Sequence, residues 1–383
     1  MAKLLYLSLV KIKNFLFICL LLIIASCLSF VVAYFYLKNE PAPFVENITK
    51  QIKTEKPLPL LQYSFKNLRQ KEFIAKQAIK VEKILNEDKK TGVYVLLFKY
   101  ESQGKNISGA FNLKIDENSR ESIKKPVVIM FRGYAPIENY YPGMGTKNAA
   151  AVFASNNYIT LAPDFLGFGE SDDEPIDTWE ARFIKTVNAV DLIKTVQTFP
   201  EIDLSALENF PLQKITLDPD KIGIWGHSNG GQIAISVLEA MNSNLPTTLW
   251  APVLAPFPYS ILYFSDEYED EGKATRKYLA LFEEDYDVFD FSITQHLNQL
   301  HGPIQIQHGT NDDSALISWT EEFLAKVDLE NKRRATDSSA ENKKPSIEID
   351  FYKYPGADHN MQPNWNEAVQ KDLSFFDKHL INK

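Results

Sequence analysis

The chain has 383 residues, of which 45% are hydrophobic and 24% charged, and its net charge is −9. That is enough apolar material for one large folded domain with attachments. The acidic balance argues against nucleic acid as a partner, because a phosphate backbone calls for a basic face.

Phe15 to Leu37 is an unbroken run without a charged residue, long enough to cross a bilayer as a helix. Lys3, Lys11 and Lys13 precede it, while Lys38 and Glu40 follow, so the positive bias puts residues 1–14 in the cytoplasm and the rest outside. A cleavable signal peptide has a shorter apolar core, of about 7–15 residues. Ile24-Ala25-Ser26-Cys27 resembles a lipobox, but Leu28 to Leu37 stays apolar where a lipoprotein would turn polar. The reading preferred here is an uncleaved anchor at 15–37. The two cysteines, Cys19 and Cys27, both lie in this stretch, which leaves the remainder with no disulfide and no cysteine-built metal site.

Asn39 to Gln62, with Pro41, Pro43, Pro57 and Pro59 among charges, reads as an extended linker. No period emerges over Tyr63 to Asp88, and no element is assigned there. Val93 to Tyr100 and Ile107 to Ile115 predict a hairpin across Gln103-Gly104-Lys105-Asn106. Asn47-Ile48-Thr49 and Asn106-Ile107-Ser108 match the glycosylation sequon, which matters only in a eukaryotic source.

From Pro126 onward, strands alternate with helices. Strands are expected at 127–131, 158–162, 222–225, 249–254, 304–307 and 347–352; helices at 149–154, 178–198 and 365–380. Strands apolar on both faces and separated by helices imply a mostly parallel sheet covered on both sides. The polar stretch Asp328 to Lys344 is expected to be a surface loop without function. An acidic, aromatic segment lies between two core strands. It predicts a cap at 256–300, or else a solvated helix face, with Tyr263, Tyr268, Tyr286 and Phe289 serving packing more than a pocket.

One stretch carries chemistry. Gly226-His227-Ser228-Asn229-Gly230-Gly231 sits between the apolar strand Lys221–Trp225 and a helix whose stripe is Ile233, Val237 and Met241. A serine on so sharp a turn is strained and presents its hydroxyl, and glycines stand at 226 and 230 because a β-carbon there would collide with neighbouring backbone. Ser228 is therefore a candidate nucleophile. The alternative is a glycine-rich turn with an incidental serine. In an open parallel sheet the site forms at the carboxyl ends of the strands. After Phe131, Arg132-Gly133-Tyr134 offers a backbone N–H, that of Tyr134, to an oxyanion, and Asn229 N–H is the second donor. After Gln307, His308-Gly309-Thr310-Asn311-Asp312-Asp313 offers a carboxylate from Asp312 or Asp313. His359, after Tyr354, is the candidate general base, because Ser, Asp and His then follow successive strands in order. His227 points elsewhere on this reading, His308 packs structurally, and His296, His301 and His379 lie on helices or their ends. Asp164, Gly167, Gly169 and Ser171 shape a turn, and no metal site is expected at Asp164.

Taken together, Phe131-Arg132-Gly133-Tyr134, Ala162 to Ser171, Gly226 to Gly231, His308-Gly309-Thr310-Asn311-Asp312 and Tyr354 to His359 resemble the α/β-hydrolase superfamily, most closely the catalytic domain of prolyl oligopeptidase-type serine peptidases. The resemblance spans Val127 to His359. It implies the triad Ser228, Asp312, His359, its H-G-T-x-D form selecting Asp312 over Asp313. Two departures stand out. Arg132 replaces the usual side chain beside the oxyanion, and the residues between anchor and Pro126 are too few for the β-propeller that gates such peptidases. The expected layout is residues 1–14 cytoplasmic, 15–37 spanning, 38–90 linker and extension, and 91–383 an α/β-hydrolase domain. The expected activity is cleavage of a peptide, amide or ester through an acyl-enzyme, with a peptide or small molecule as substrate and without metal or cofactor. A carboxylesterase of this fold, or a non-catalytic binding protein on the same scaffold, are the alternatives.

Overall fold

The structure is a computed structural model. It describes residues 56–115, 124–337 and 344–382, together with Ile24, Ser26, Ser29 and Tyr34, which are helical. The predicted span at 15–37 otherwise lies outside the described residues, as does the sequon at Asn47. No helix among the described residues is long and apolar enough to cross a membrane. The chain divides into two compact units, Met1–Leu58 and Pro59–Lys383, and the architecture below is that of the second.

Its centre is a mixed sheet in the order β1-β2-β3-β5-β4-β7-β8-β9-β10. The strands are β1 (Lys80–Asp88), β2 (Val93–Ser102), β3 (Lys105–Lys114), β4 (Lys125–Phe131), β5 (Ile159–Pro163), β6 (Glu201–Asp203), β7 (Lys214–His227), β8 (Thr247–Trp250), β9 (Ile304–Gly309) and β10 (Ile349–Tyr354). From β5 to β10 all neighbours on this path are parallel, while β1, β2, β3 and β5 pair antiparallel. The short β6 pairs only with β7. The helices are α1 (Phe65–Gln70), α2 (Lys147–Ser155), α3 (Thr178–Thr198), α4 (Asn229–Met241), α5 (Tyr259–Ser265), α6 (Lys273–Glu283), α7 (Ile317–Thr336) and α8 (Trp365–Phe376).

Alternation along β4 shows why both faces are covered. Val127, Ile129 and Phe131 join one core with Val187 and Val190 of α3 and Ile233 and Val237 of α4. Val128 and Met130 point the other way, into a core with Ala150 and Phe153 of α2 and Val369 and Phe376 of α8. Side chains on a strand alternate between faces, so a strand apolar at every position demands a layer on each side. This is the α/β-hydrolase fold, as expected.

Several local expectations change. Tyr63 to Asp88 holds α1 and the edge strand β1. Only Val81 of β1 is buried, so the strand carries no period-two pattern. Strands β1 to β3 extend the sheet at one edge. The strand predicted at 249–254 ends at Trp250, because Ala251 turns the chain at φ +41°. The polar stretch at 328 is no loop: α7 runs on to Thr336. Arg334, 3% exposed, pairs with Glu330 and donates to the carbonyls of Leu297, Leu300 and Pro345. Its guanidinium stitches α7 to the segment before β9. In the acidic segment, Tyr286 packs on Phe282 at 4.8 Å as expected, and Tyr263 meets Trp319 edge-on at 4.8 Å. Tyr268 and Phe289 are exposed.

Candidate active site

The turn from β7 into α4 places Ser228 at φ 57°, ψ −123°, a conformation that L-residues avoid and that costs of order 1–3 kcal/mol. Neighbours hold it there. Ser228 N–H donates to Trp250 O at 2.9 Å, and Ser228 O accepts from Gly231 and Val253 N–H at 3.0 Å each. A β-carbon at Gly226 would lie 2.7 Å from Gly230 O, and one at Gly230 would overlap the Phe131 carbonyl. Both glycines are thus required by close backbone approach. The turn at Ala251 has its reason here, since it brings Val253 N–H onto the Ser228 carbonyl.

Two adjacent parallel strands deliver the other groups. Lys353 and Tyr354 of β10 lie in register with His308 and Gly309 of β9. Beyond them the loops are laced together: Thr310 N–H donates to Tyr354 O and Asn311 N–H to Ala357 O, both at 3.0 Å. Asp312 and His359 meet as a result. His359 Nδ1 lies 2.8 Å from Asp312 Oδ2 and 3.0 Å from Oδ1. A carboxylate only accepts, so Nδ1 carries the proton and Nε2 presents its lone pair. Ser314 and Ala315 N–H each donate to Asp312 Oδ1 at 2.9 Å. Burial by itself would raise the Asp312 carboxyl, but hydrogen bonds from His308, His359 and the Ala315 amide outweigh it and hold the group far below the usual carboxylate range. Asp313 stands aside, exposed, its carboxylate taking only the Ser314 hydroxyl at 3.3 Å.

Two histidines do more than the sequence suggested. His308 is fully buried. Its Nε2 faces Ala315 O at 2.8 Å and Asp312 Oδ2 at 3.2 Å, and its Nδ1 faces Thr320 Oγ1 at 2.9 Å. The carbonyl can only accept, so Nε2 donates and braces the carboxylate from the side opposite His359. His227 does not point away. Its Nε2 donates to the backbone oxygen of His359 at 2.9 Å, and the two rings lie 4.7 Å apart. Burial, followed by the nearby His359, pushes the His227 imidazole down to about 4, so it serves as a neutral donor tying the His359 loop to the nucleophile turn. The G-H-S sequence was the available signal. Among the described residues the Ser228 hydroxyl has no hydrogen-bond partner. Such contacts often tighten only when substrate is bound.

The third loop lies against the serine. A β-carbon at Gly133 would fall 2.8 Å from Ser228 Cβ and 3.3 Å from its Oγ, so only glycine fits. Arg132 is buried and clasps this loop from behind. One guanidinium nitrogen donates to Gly133 O and another to Asp164 O, both at 2.9 Å, while Nε donates to Tyr140 Oη at 3.2 Å. The cation also covers the rings of Phe168 at 4.1 Å and Tyr140 at 4.7 Å. In a trans peptide the C=O and the following N–H point in opposite directions. With Gly133 O drawn toward Arg132, Tyr134 N–H is turned away from the guanidinium. The Tyr134 side chain is 88% exposed, which leaves its backbone as the group able to face an oxyanion. Asn229 N–H, at the first turn of α4, is free of an intrahelical partner. Asp164 accepts from Ser108 Oγ and Tyr140 Oη, so it shapes the turn as expected. Among the described residues no group of acids and histidines could hold a metal.

A cavity of about 600 Å³ opens beside the His359 loop, lined by Tyr141, His227, Trp250, Asn360 and Trp365 among others. Beneath its floor Asp372 accepts from Trp225, Trp250, Gln305 and Gln307 at 2.7–3.0 Å.

Residues 145–383 match the prolyl oligopeptidase family. Over 110 residues the chain is 27% identical to an uncharacterized 31.7 kDa Escherichia coli protein from the traX-finO intergenic region, a match covering 29% of this chain and 31% of that one. Among solved structures, a puromycin-hydrolyzing peptidase of Mycobacterium tuberculosis is 13% identical over 77% of this chain and 40% of its own, with a TM-score of 0.53. Acetyl xylan esterase 1 of Thermoanaerobacterium is 14% identical over 84% of this chain and 95% of its own, also at 0.53. Dipeptidyl peptidase 4 of Porphyromonas gingivalis is 16% identical over 74% and 35%, at 0.51. The chain therefore spans about a third of the curated relative, and less than half of either peptidase. At these identities the structural matches bear on fold alone.

Proposed function

The chain belongs to the prolyl oligopeptidase family, and we propose that it is a serine hydrolase that cleaves esters or amides of small acids through Ser228, His359 and Asp312. The observation that carries this reading is the Asp312–His359 contact of 2.8 Å, on a loop tied to the nucleophile turn by His227. Ser228 Oγ attacks the substrate carbonyl as His359 Nε2 takes its proton, and the resulting imidazolium is stabilised by Asp312. Asn229 and Tyr134 N–H receive the oxyanion. The carbonyl–leaving-group bond then breaks, and the leaving group departs with the proton from Nε2. Water, deprotonated by the same nitrogen, then attacks the acyl-enzyme carbonyl, the acyl–Oγ bond breaks to release the acid, and Nε2 returns its proton to Ser228 Oγ. Because the proton is delivered from His359, the leaving group belongs on that side, where the 600 Å³ aromatic cavity lies.

A purified sample treated with a fluorophosphonate should be labelled, and Ser228→Ala should not be. A wild-type protein that resists labelling would instead favour a binding protein on the hydrolase scaffold. Ester and peptide panels on the labelled-competent enzyme would separate esterase from peptidase. A peptidase outcome would fit the family match.

The reading includes a membrane anchor at residues 15–37, supported by the charge-free run between Lys13 and Lys38. Full-length protein should sediment with membranes, resist carbonate extraction and expose its hydrolase domain to protease on the extracytoplasmic side. Release into the soluble fraction would remove the anchor.

A further inference from the structure

On the Asn229 side of the nucleophile lies a smaller cleft of about 40 Å³, room for little more than one small polar group beside a water. Phe183, Phe257, Phe291 and Ile293 line it, together with Arg182 and Lys185 of α3. The aromatic wall is rigid: Phe183 stacks on Phe291 at 4.7 Å and meets Phe257 edge-on at 5.4 Å. Arg182 spends one donor on Gln232 Oε1, at 2.7 Å. Among the described residues neither cation has a carboxylate partner within ion-pair distance.

That arrangement disfavours both charges. Two like charges three residues apart on one helix repel, and desolvation by the aromatic wall adds to the strain on both. Burial, then the charges of Arg182 and Arg132, push the Lys185 ammonium down to about 8, against a pull from Glu174. Burial likewise lowers the Arg182 guanidinium to about 10. Unpaired, partly desolvated cations beside a reaction centre mark a site for a group of opposite charge. The planar fork of an arginine matches a carboxylate in particular. The cleft borders Asn229, whose N–H faces the carbonyl oxygen in the proposed mechanism, so it serves the acyl side of the scissile bond.

We propose that Arg182 and Lys185 form an anion-recognising subsite that selects substrates whose acyl part carries a carboxylate, that is, half-esters or half-amides of a dicarboxylic acid. This rests on the hydrolase reading above and adds the substrate class.

The test compares two activated esters of equal size, 4-nitrophenyl hydrogen glutarate and the neutral 4-nitrophenyl glutaramate, with spontaneous hydrolysis subtracted. The anionic ester should be favoured at least about tenfold in kcat/KM, the size of one charge-assisted hydrogen bond. Lys185→Met and Arg182→Met should each reduce that ratio severalfold, and Lys185→Arg should retain most of it. An enzyme that is labelled at Ser228 by a fluorophosphonate yet shows no preference, or keeps its preference in both methionine variants, overturns the subsite alone. A wild-type protein that is not labelled overturns the hydrolase reading, and the subsite with it. Because the wild-type ratio is itself decisive, a variant that fails to fold does not remove the test.

Discussion

The guanidinium of Arg132 donates to the carbonyl oxygen of Gly133 at 2.9 Å. The peptide that carries this oxygen also carries Tyr134 N–H, so the arginine fixes the direction of a backbone donor without touching substrate. Anchored by Asp164 O and Tyr140 Oη, and lying over the Tyr140 and Phe168 rings, it has little freedom to turn.

Arg132→Lys keeps the charge but loses the fork. The proposed donor at Tyr134 should then wander, and kcat should fall roughly ten- to a hundredfold with KM little changed, less than the full loss of an oxyanion donor. Steady-state kinetics on a neutral activated ester check the split. A change confined to KM would mean that Arg132 is not a positioning residue for the transition state.

Replacing Asp312 by Asn leaves an oxygen for the Ser314 and Ala315 amides but puts an NH₂ group opposite His359 Nδ1. The imidazole would respond by moving its proton to Nε2, where it can no longer take one from Ser228. A drop in kcat of about 10⁴-fold is expected, with the thermal midpoint recorded alongside to separate chemistry from folding. Asp313→Asn should leave kcat unaltered.

His227→Phe preserves the ring contact with His359 and removes the donor to its carbonyl. An unsatisfied partly buried carbonyl costs about 1–3 kcal/mol, read from the urea midpoint. Fluorophosphonate labelling of Ser228 should slow about tenfold as the His359 loop loosens.

Glu239 lies on α4, the helix that follows the nucleophile, fully buried and with both carboxyl oxygens unpartnered among the described residues. Burial raises its carboxyl well above the ordinary value, against a weak pull from Arg69. Above about pH 4.3 the unfolded chain releases this proton and the folded chain keeps it. The folded state therefore binds more protons, and stability declines with rising pH by about 1.4 kcal/mol per unit until the folded group itself ionises. Asp372, raised by burial to about 7, has the same sign up to that pH. Glu239→Gln should remove one of the two slopes, so urea unfolding between pH 5 and pH 8 should show a flatter decline than wild type. An unchanged slope would mean that Glu239 is ionised in the folded state.

Much of the fold was legible because central strands such as β4 carry continuous apolar runs and α4 carries a 3.6-residue stripe. The α3 boundaries at Thr178 and Thr198 could be read directly, and in the structure the Asp177 carboxylate caps Trp179 and Glu180 N–H. What escaped was of two kinds. The edge strand β1 shows no alternation because almost nothing in it is buried. The polar stretch after Asp328 looked like a loop because its one anchoring side chain, Arg334, is charged, and only its partners reveal that it is inside.

By itself the sequence determined the sheet, the strand-to-helix turn at Ser228, and the order in which serine, acid and histidine follow β7, β9 and β10. Those are local properties, written in spacing and in glycines that admit no β-carbon. The tertiary structure decided which acid meets His359, that His227 and His308 brace that pair, that Arg132 steers the Gly133 peptide, and that two unpaired cations share a cleft with Asn229. These placements are set by strand register and by where loops are stitched together, and even Arg132, next to Gly133 in the chain, is held by the distant Asp164 and Tyr140. No periodicity along the polymer encodes such a distance.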